Sequence, residues 1–238
     1  MENIALLAGG LSQLKGETVL FYSPGACSLA SHIALEEVGK PFRPIETLLG
    51  QQQHLAETYL AINPRGKVPA LVTPDGQVIT ENTAILAYVA YANPEAHLLP
   101  ADIVAQMQCI AQMAWFSNTP HIFQKAKFRP YHFADREEVH GDIREKAAQK
   151  YWDSMVEIDR LIADREWLMG DHYTVADPYA LVFFGWGTSN GLPMQTLESY
   201  KRHKDQMLQR PAVRAVLERE KNPHFQADIS VRQVLVEG

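Results

Sequence analysis

Between residues 18 and 92 the sequence alternates between two hydrophobic periods, and this narrows the fold more than any other feature. Residues 18–22 form a short β-rich run. Residues 28–38 carry Leu29, Ile33, Leu35 and Val38 near helical spacing, with Gly39 as a stop. Residues 42–49 read as a second strand, and Pro41 and Pro44 put it at a sheet edge or in a partly irregular segment. Residues 52–61 read as a short helix ended by Asn63 and Pro64. Residues 68–72 and 77–80, joined by Pro74-Asp75-Gly76, make a hairpin signature. Residues 82–92 read as a third helix. The order strand, helix, strand, helix, strand, strand, helix predicts a mixed sheet with helices on its faces, an α/β domain over 18–93.

Past Pro94 the character changes. Residues 94–101 read as a linker, and helical periodicity then dominates over 102–225, leaving 226–238 as a tail. Helices are expected over 103–128, 137–165, 174–184, 195–209 and 213–220, which predicts an all-helical bundle. Residues 1–17 stand apart as a tail or an added cap, poorly ordered by expectation. Glu2 directly after Met1 and the lack of an Ala-x-Ala signal do not fit a secretory leader.

A net charge of -6 argues against a general nucleic-acid binder, because phosphate neutralisation needs a basic surface. No stretch approaches a membrane span, so no membrane partner is expected. Two cysteines make no disulfide framework and fit a reducing cytoplasm.

One of the two, Cys27, lies where the first strand gives way to the first helix, in Phe21-Tyr22-Ser23-Pro24-Gly25-Ala26-Cys27-Ser28. A helix N-terminus offers unpaired N–H groups and the positive end of the dipole, which favour a thiolate. Ala30 stands where the second cysteine of a redox pair would be. The run leaves two readings open: a lone thiol poised for chemistry with another thiol, or a small residue filling a helix–sheet junction. Further on, Thr174-Val175-Ala176-Asp177 forms a capping-box pattern with Asp in place of Glu, read as a helix start.

Four motifs in order resemble the glutathione transferase superfamily, above all its bacterial beta class: residues 23–32, Asn63-Pro64-Arg65-Gly66-Lys67-Val68-Pro69-Ala70-Leu71, residues 81–86 and the box at 174–177. The resemblance implies a thioredoxin-like first domain and an all-helical second one. It implies glutathione as co-substrate, with no metal. Glu81 and Asn82 would hold the γ-glutamyl end, the Asn82 N–H meeting its carboxylate at a helix start. Val68 would pair with the cysteinyl part beside a cis Pro69. Cys27 would face the glutathione sulfur, assisted by Ser28. Gln52 stands where relatives often carry Lys, with Gln51, Gln53, His54 or Lys67 as other anchors for the glycine carboxylate. His121 would be the histidine that relatives place on the helix bordering the active site, although Pro120 should interrupt that helix. His32 is read as structural or surface. The second substrate, a small electrophile or a disulfide, would lie between the domains against this helix, and the family's habit implies a homodimer. Three activities follow as alternatives: conjugation of glutathione, disulfide reduction with Cys27 as nucleophile, or a binding protein that has lost turnover.

Overall fold

The computed structural model describes residues 11–228. The chain divides into two units, residues 99–207 forming one, and residues up to 98 together with those from 208 onward forming the other.

In the first unit, β1 (Val19–Tyr22) is buried at every position. Its unbroken apolar run suits a central strand covered on both faces. Among the described residues the sheet has four strands in the order β2-β1-β3-β4, with β2 (Arg43–Glu46), β3 (Ala70–Val72) and β4 (Val78–Thr80). The β1–β2 pair is parallel; β1–β3 and β3–β4 are antiparallel. Pro44 therefore sits in an edge strand, where its missing N–H costs no central ladder bond. α1 (Ser28–Val38) ends at Gly39, which adopts φ 71° and donates to Glu36. The helix expected over 52–61 is instead two 3-10 turns, Leu49–Gln51 and Gln53–Leu55, and a four-residue helix α2 (Glu57–Leu60). The break falls at Gln52, in the left-handed region at φ 57°. α3 spans Asn82–Tyr91.

Residues 11–17 do not trail away. Leu11–Leu14 is a 3-10 turn, and Leu14 is fully buried in the cluster of Phe21, Ile45, Tyr59, Ile62 and Val72. The Gly16 N–H donates to the Pro74 carbonyl at 2.8 Å, and Glu17 pairs with Arg43 at 3.3 Å. The apolar run Ile4 to Leu7 lies outside the described residues.

In the second unit, the expected helix over 103–128 is two, α4 (Ile103–Asn118) and α5 (Pro120–Phe128). Thr119 leaves the helical region at φ -123° and ψ -81°, as a residue before proline tends to. Asp102 caps α4 by accepting from the Ala105 N–H at 2.9 Å. α6 (His140–Ile162) and α7 (Ala176–Ser189) follow, then α8 (Glu198–Met207). α7 is buried on all sides along Ala176 to Gly187, the pattern of a helix inside a bundle. Phe116, Tyr179 and Phe183 pack ring to ring around it. Thr174 and Asp177 cap its start reciprocally, with the Thr174 N–H donating to Asp177 at 2.7 Å and the Ala176 N–H to the Thr174 hydroxyl at 3.3 Å.

The last helix, α9 (Pro211–Arg219), belongs to the first unit, not to the helical one as its position in the chain suggested. Arg210 makes a two-pronged ion pair with Glu37 at 2.6 and 2.8 Å, and Arg219 pairs with Glu36 at 2.7 Å. These contacts bind α9 along α1. Among the described residues no helix is long and apolar enough to cross a membrane.

Candidate functional site

Cys27 is the N-cap of α1. The turn before it closes through the Ala26 N–H donating to the Ser23 carbonyl at 3.0 Å. Ser28 locks that turn: its hydroxyl donates to the Ser23 carbonyl at 3.2 Å and accepts from the Ser23 N–H at 3.1 Å. Ser28 is fully buried, so its hydroxyl serves the turn that presents Cys27.

The Cys27 thiol points at the β3 side of the sheet, donating to the Val68 carbonyl at 3.7 Å. The Val68-Pro69 bond is cis. One residue earlier, the Lys67 carbonyl takes the Tyr59 hydroxyl at 2.5 Å and the Asn63 amide at 2.7 Å, while Lys67 itself is exposed. These bonds hold 67–69 rigidly against the thiol.

The helix-terminus argument expects a thiolate at Cys27. Burial overrides it and pushes the thiol up to about 12. The nearby backbone N–H groups of Cys27 and Ser28 and the charge of Lys67 pull down, and Glu81 adds to the rise. At pH 8 the thiolate fraction is then roughly one part in ten thousand. Alkylation of Cys27 by iodoacetamide in the ligand-free protein should climb about tenfold per pH unit, without levelling off below about pH 10. A plateau near neutrality would contradict this.

Asn82 is buried, and its amide donates to the Cys27 carbonyl at 3.0 Å while its oxygen accepts from the Ser31 hydroxyl at 2.5 Å. Its side chain thus clasps the start of α3 to the first turn of α1. Glu81 precedes it, exposed and at φ 68°. The structure therefore brings Cys27, Ser28, Lys67, Val68, Pro69, Glu81 and Asn82 together in one unit. Gln52 is exposed between the 3-10 turns, and that segment is tied to the same loop by the Leu49 N–H, 3.4 Å from the Ser23 hydroxyl. Gln53 accepts from the Leu48 N–H at 2.8 Å and donates to Gln51 at 3.2 Å. His121 belongs to the second unit, on α5, with its ring edge-on to Trp186 at 5.2 Å.

His32 is fully buried and structural. Its Nδ1 is 2.8 Å from Glu220 and its Nε2 3.2 Å from Arg219. Arginine can only donate, so Nε2 accepts and the Nδ1–H donates to the carboxylate. Tyr22 and Phe42 flank the ring at 4.6 and 5.7 Å. Sequence reasoning missed Glu220, Asn222 and His224, which lie close to the Cys27 loop. A buried carboxylate just past the end of an amphipathic helix gives no periodic signal.

Comparison with known proteins adds three observations. The profile of the glutathione S-transferase N-terminal domain matches residues 25–91. Glutathione S-transferase GstA of Escherichia coli O157:H7 is 32% identical over 203 residues, covering 84% of this chain and 98% of that protein. Two solved structures superpose closely. A Sulfitobacter glutathione transferase homologue with bound glutathione has a TM-score of 0.82 at 29% identity, covering 86% of this chain and 98% of its own. A beta-class glutathione S-transferase of Sphingomonas chungbukensis has a TM-score of 0.75 at 33% identity, covering 85% and 98%.

Proposed function

As the chain belongs to the glutathione S-transferase family, we propose that it binds glutathione in its first unit and joins the thiol of that tripeptide to a small electrophile. The observation that carries this reading is the Cys27 sulfur, set at the N-cap of α1 3.7 Å from the Val68 carbonyl beside the cis Val68-Pro69 bond; burial favours its protonated form. A neutral S–H is a hydrogen-bond donor, and a glutathione thiolate needs one. In the reaction the glutathione thiol first gives its proton to solvent, the resulting thiolate forms a carbon–sulfur bond, and the leaving group departs with the electron pair of the bond that breaks. Cys27 stabilises the thiolate and keeps its own proton. The Val68 backbone pairs with the cysteinyl peptide of glutathione. Glu81 takes the γ-glutamyl amino group, and the start of α3 at Asn82 meets the carboxylate beside it. Lys67 and Gln52 face the glycine carboxylate, Lys67 with charge and Gln52 by hydrogen bonding. Binding in register, together with the donor, supplies the rate gain.

The competing use of Cys27, as nucleophile on a mixed disulfide, requires a thiolate that burial disfavours. The reading includes a homodimer, supported by Ile103, Val104 and Met107, exposed by 62, 61 and 46% at the start of α4. It also includes a reducing cytoplasm, supported by Cys27 and Cys109, both free and buried.

Calorimetric titration with glutathione and turnover of a model aryl halide test this reading. Saturable binding and conjugation are expected; no detectable binding at millimolar thiol overturns it. Within the same assay, Glu81→Gln should raise KM for glutathione roughly tenfold with little change in kcat, the scale of one charge-assisted hydrogen bond. An unchanged KM removes Glu81 from the site.

A further inference from the structure

We propose that residues 220–225 are a positioning strap for the thiol site, holding the loop that presents Cys27 by both polar groups of Gly25. The inference rests on the glutathione-site reading above. The Gly25 N–H donates to Glu220 Oε2 at 3.4 Å, and the His224 Nε2–H donates to the Gly25 carbonyl at 3.1 Å. Gly25 stands two residues before Cys27, in the turn that feeds the first residues of α1.

The fit is close. A Cβ at Gly25 would lie 2.8 Å from Pro223 Cγ and 2.9 Å from His224 Nε2, and Gly25 also adopts φ +73°. The strap is itself anchored. Asn222 is fully buried; its amide donates to Glu220 at 3.1 Å, and its oxygen accepts from the His224 N–H at 3.1 Å. Glu220 also takes the His32 bond at 2.8 Å, and Phe225 is 2% exposed. Burial lowers the pKa of His224, and its bond to the Gly25 carbonyl pulls the other way. The turn's own closure is the bond from Ala26 to Ser23, so the strap adds an outer hold that the loop does not supply for itself. The contact of His224 is with the Gly25 peptide. It acts through the Gly25 peptide on the place where Cys27 meets a ligand.

The test compares His224→Ala with His224→Gln in the full chain, using two readouts and a melting curve. His224→Ala should lower kcat/KM for glutathione roughly tenfold, the effect of a small misplacement of a site group. Its Tm should move by only a few degrees, the scale of one lost hydrogen bond. His224→Gln, whose amide can donate to the same carbonyl, should recover most of the loss. Independently of glutathione, iodoacetamide alkylation of Cys27, followed on its own peptide, should be at least several-fold faster in His224→Ala because the loop opens more often. An unchanged alkylation rate overturns the strap, whether or not the wild type turns over glutathione. Faster alkylation with unchanged kcat/KM in an active wild type overturns its positioning role. A wild type without turnover refutes the function above and leaves the alkylation rate to decide the strap.

Discussion

Replacing Asp177 by Ala should cost the helical unit about 3–5 kcal/mol, the range for removing one partner from a buried charged network. Asp177 is fully buried. Its carboxylate accepts from the Leu168 N–H at 2.8 Å, the Thr174 N–H at 2.7 Å and the Thr174 hydroxyl at 3.0 Å. It also accepts from His203 Nε2 at 2.9 Å. Alanine strands all four donors at a fully buried position. The network joins the start of α7 to the segment before it and to α8, so the loss reaches three parts of the unit. A fall in Tm of roughly 10 °C is expected by thermal melting. Asp177→Asn, which keeps one acceptor oxygen, should fall between. A cost below about 1 kcal/mol would mean that the helix start is held by its surroundings and not by this carboxylate.

Cys27→Ser should separate two chemistries. Conjugation of glutathione should stay within about tenfold of wild type, because a hydroxyl still donates a hydrogen bond to a thiolate. Whatever exchange with a mixed disulfide passes through the Cys27 sulfur should be lost, because serine is a weak nucleophile without an activating base. That exchange needs a cysteine sulfur to attack, a sulfur–sulfur bond to form and a second thiolate to leave. Parallel assays with an aryl halide and a glutathione mixed disulfide read both rates. If conjugation fell as far as exchange while the Tm held, Cys27 would be more than a donor, and the proposed mechanism would be wrong.

Some of this was legible from local rules. Gly39 marks the end of α1 because a left-handed closing residue favours glycine. Pro44 marks an edge strand, and Pro120 the break between α4 and α5, through the N–H that each lacks. Other features depend on what a residue meets across the fold. The dipole argument at Cys27 had the right sign, but burial, which no local run reports, was the larger effect. At Gln52 a glutamine adopts the left-handed region without glycine's signature, so the periodicity on either side overran the break. The pattern of α9 shows that it has an apolar face, and says nothing of which unit that face covers. Leu14 looked like part of a detached tail because one leucine among polar neighbours carries no period. The site motifs were readable because their residues are close in sequence: 23–28, 67–69 and 81–82 each form one corner. His224 was not, because it comes from the far end of the chain.

That far end has a consequence for the order in which the protein can be made. Leu14 and α9 sit at opposite ends of the described chain, yet both complete the first unit, while residues 99–207 are continuous within themselves. A chain leaving the ribosome from its N-terminus has the whole helical unit in hand before α9 exists. The half synthesised first is therefore the half finished last. Until that helix and the segment after it emerge, His32 has no Glu220 to accept its hydrogen bond and Gly25 has no His224 beside it, so the unit that carries Cys27 stays incomplete after the helical unit is whole.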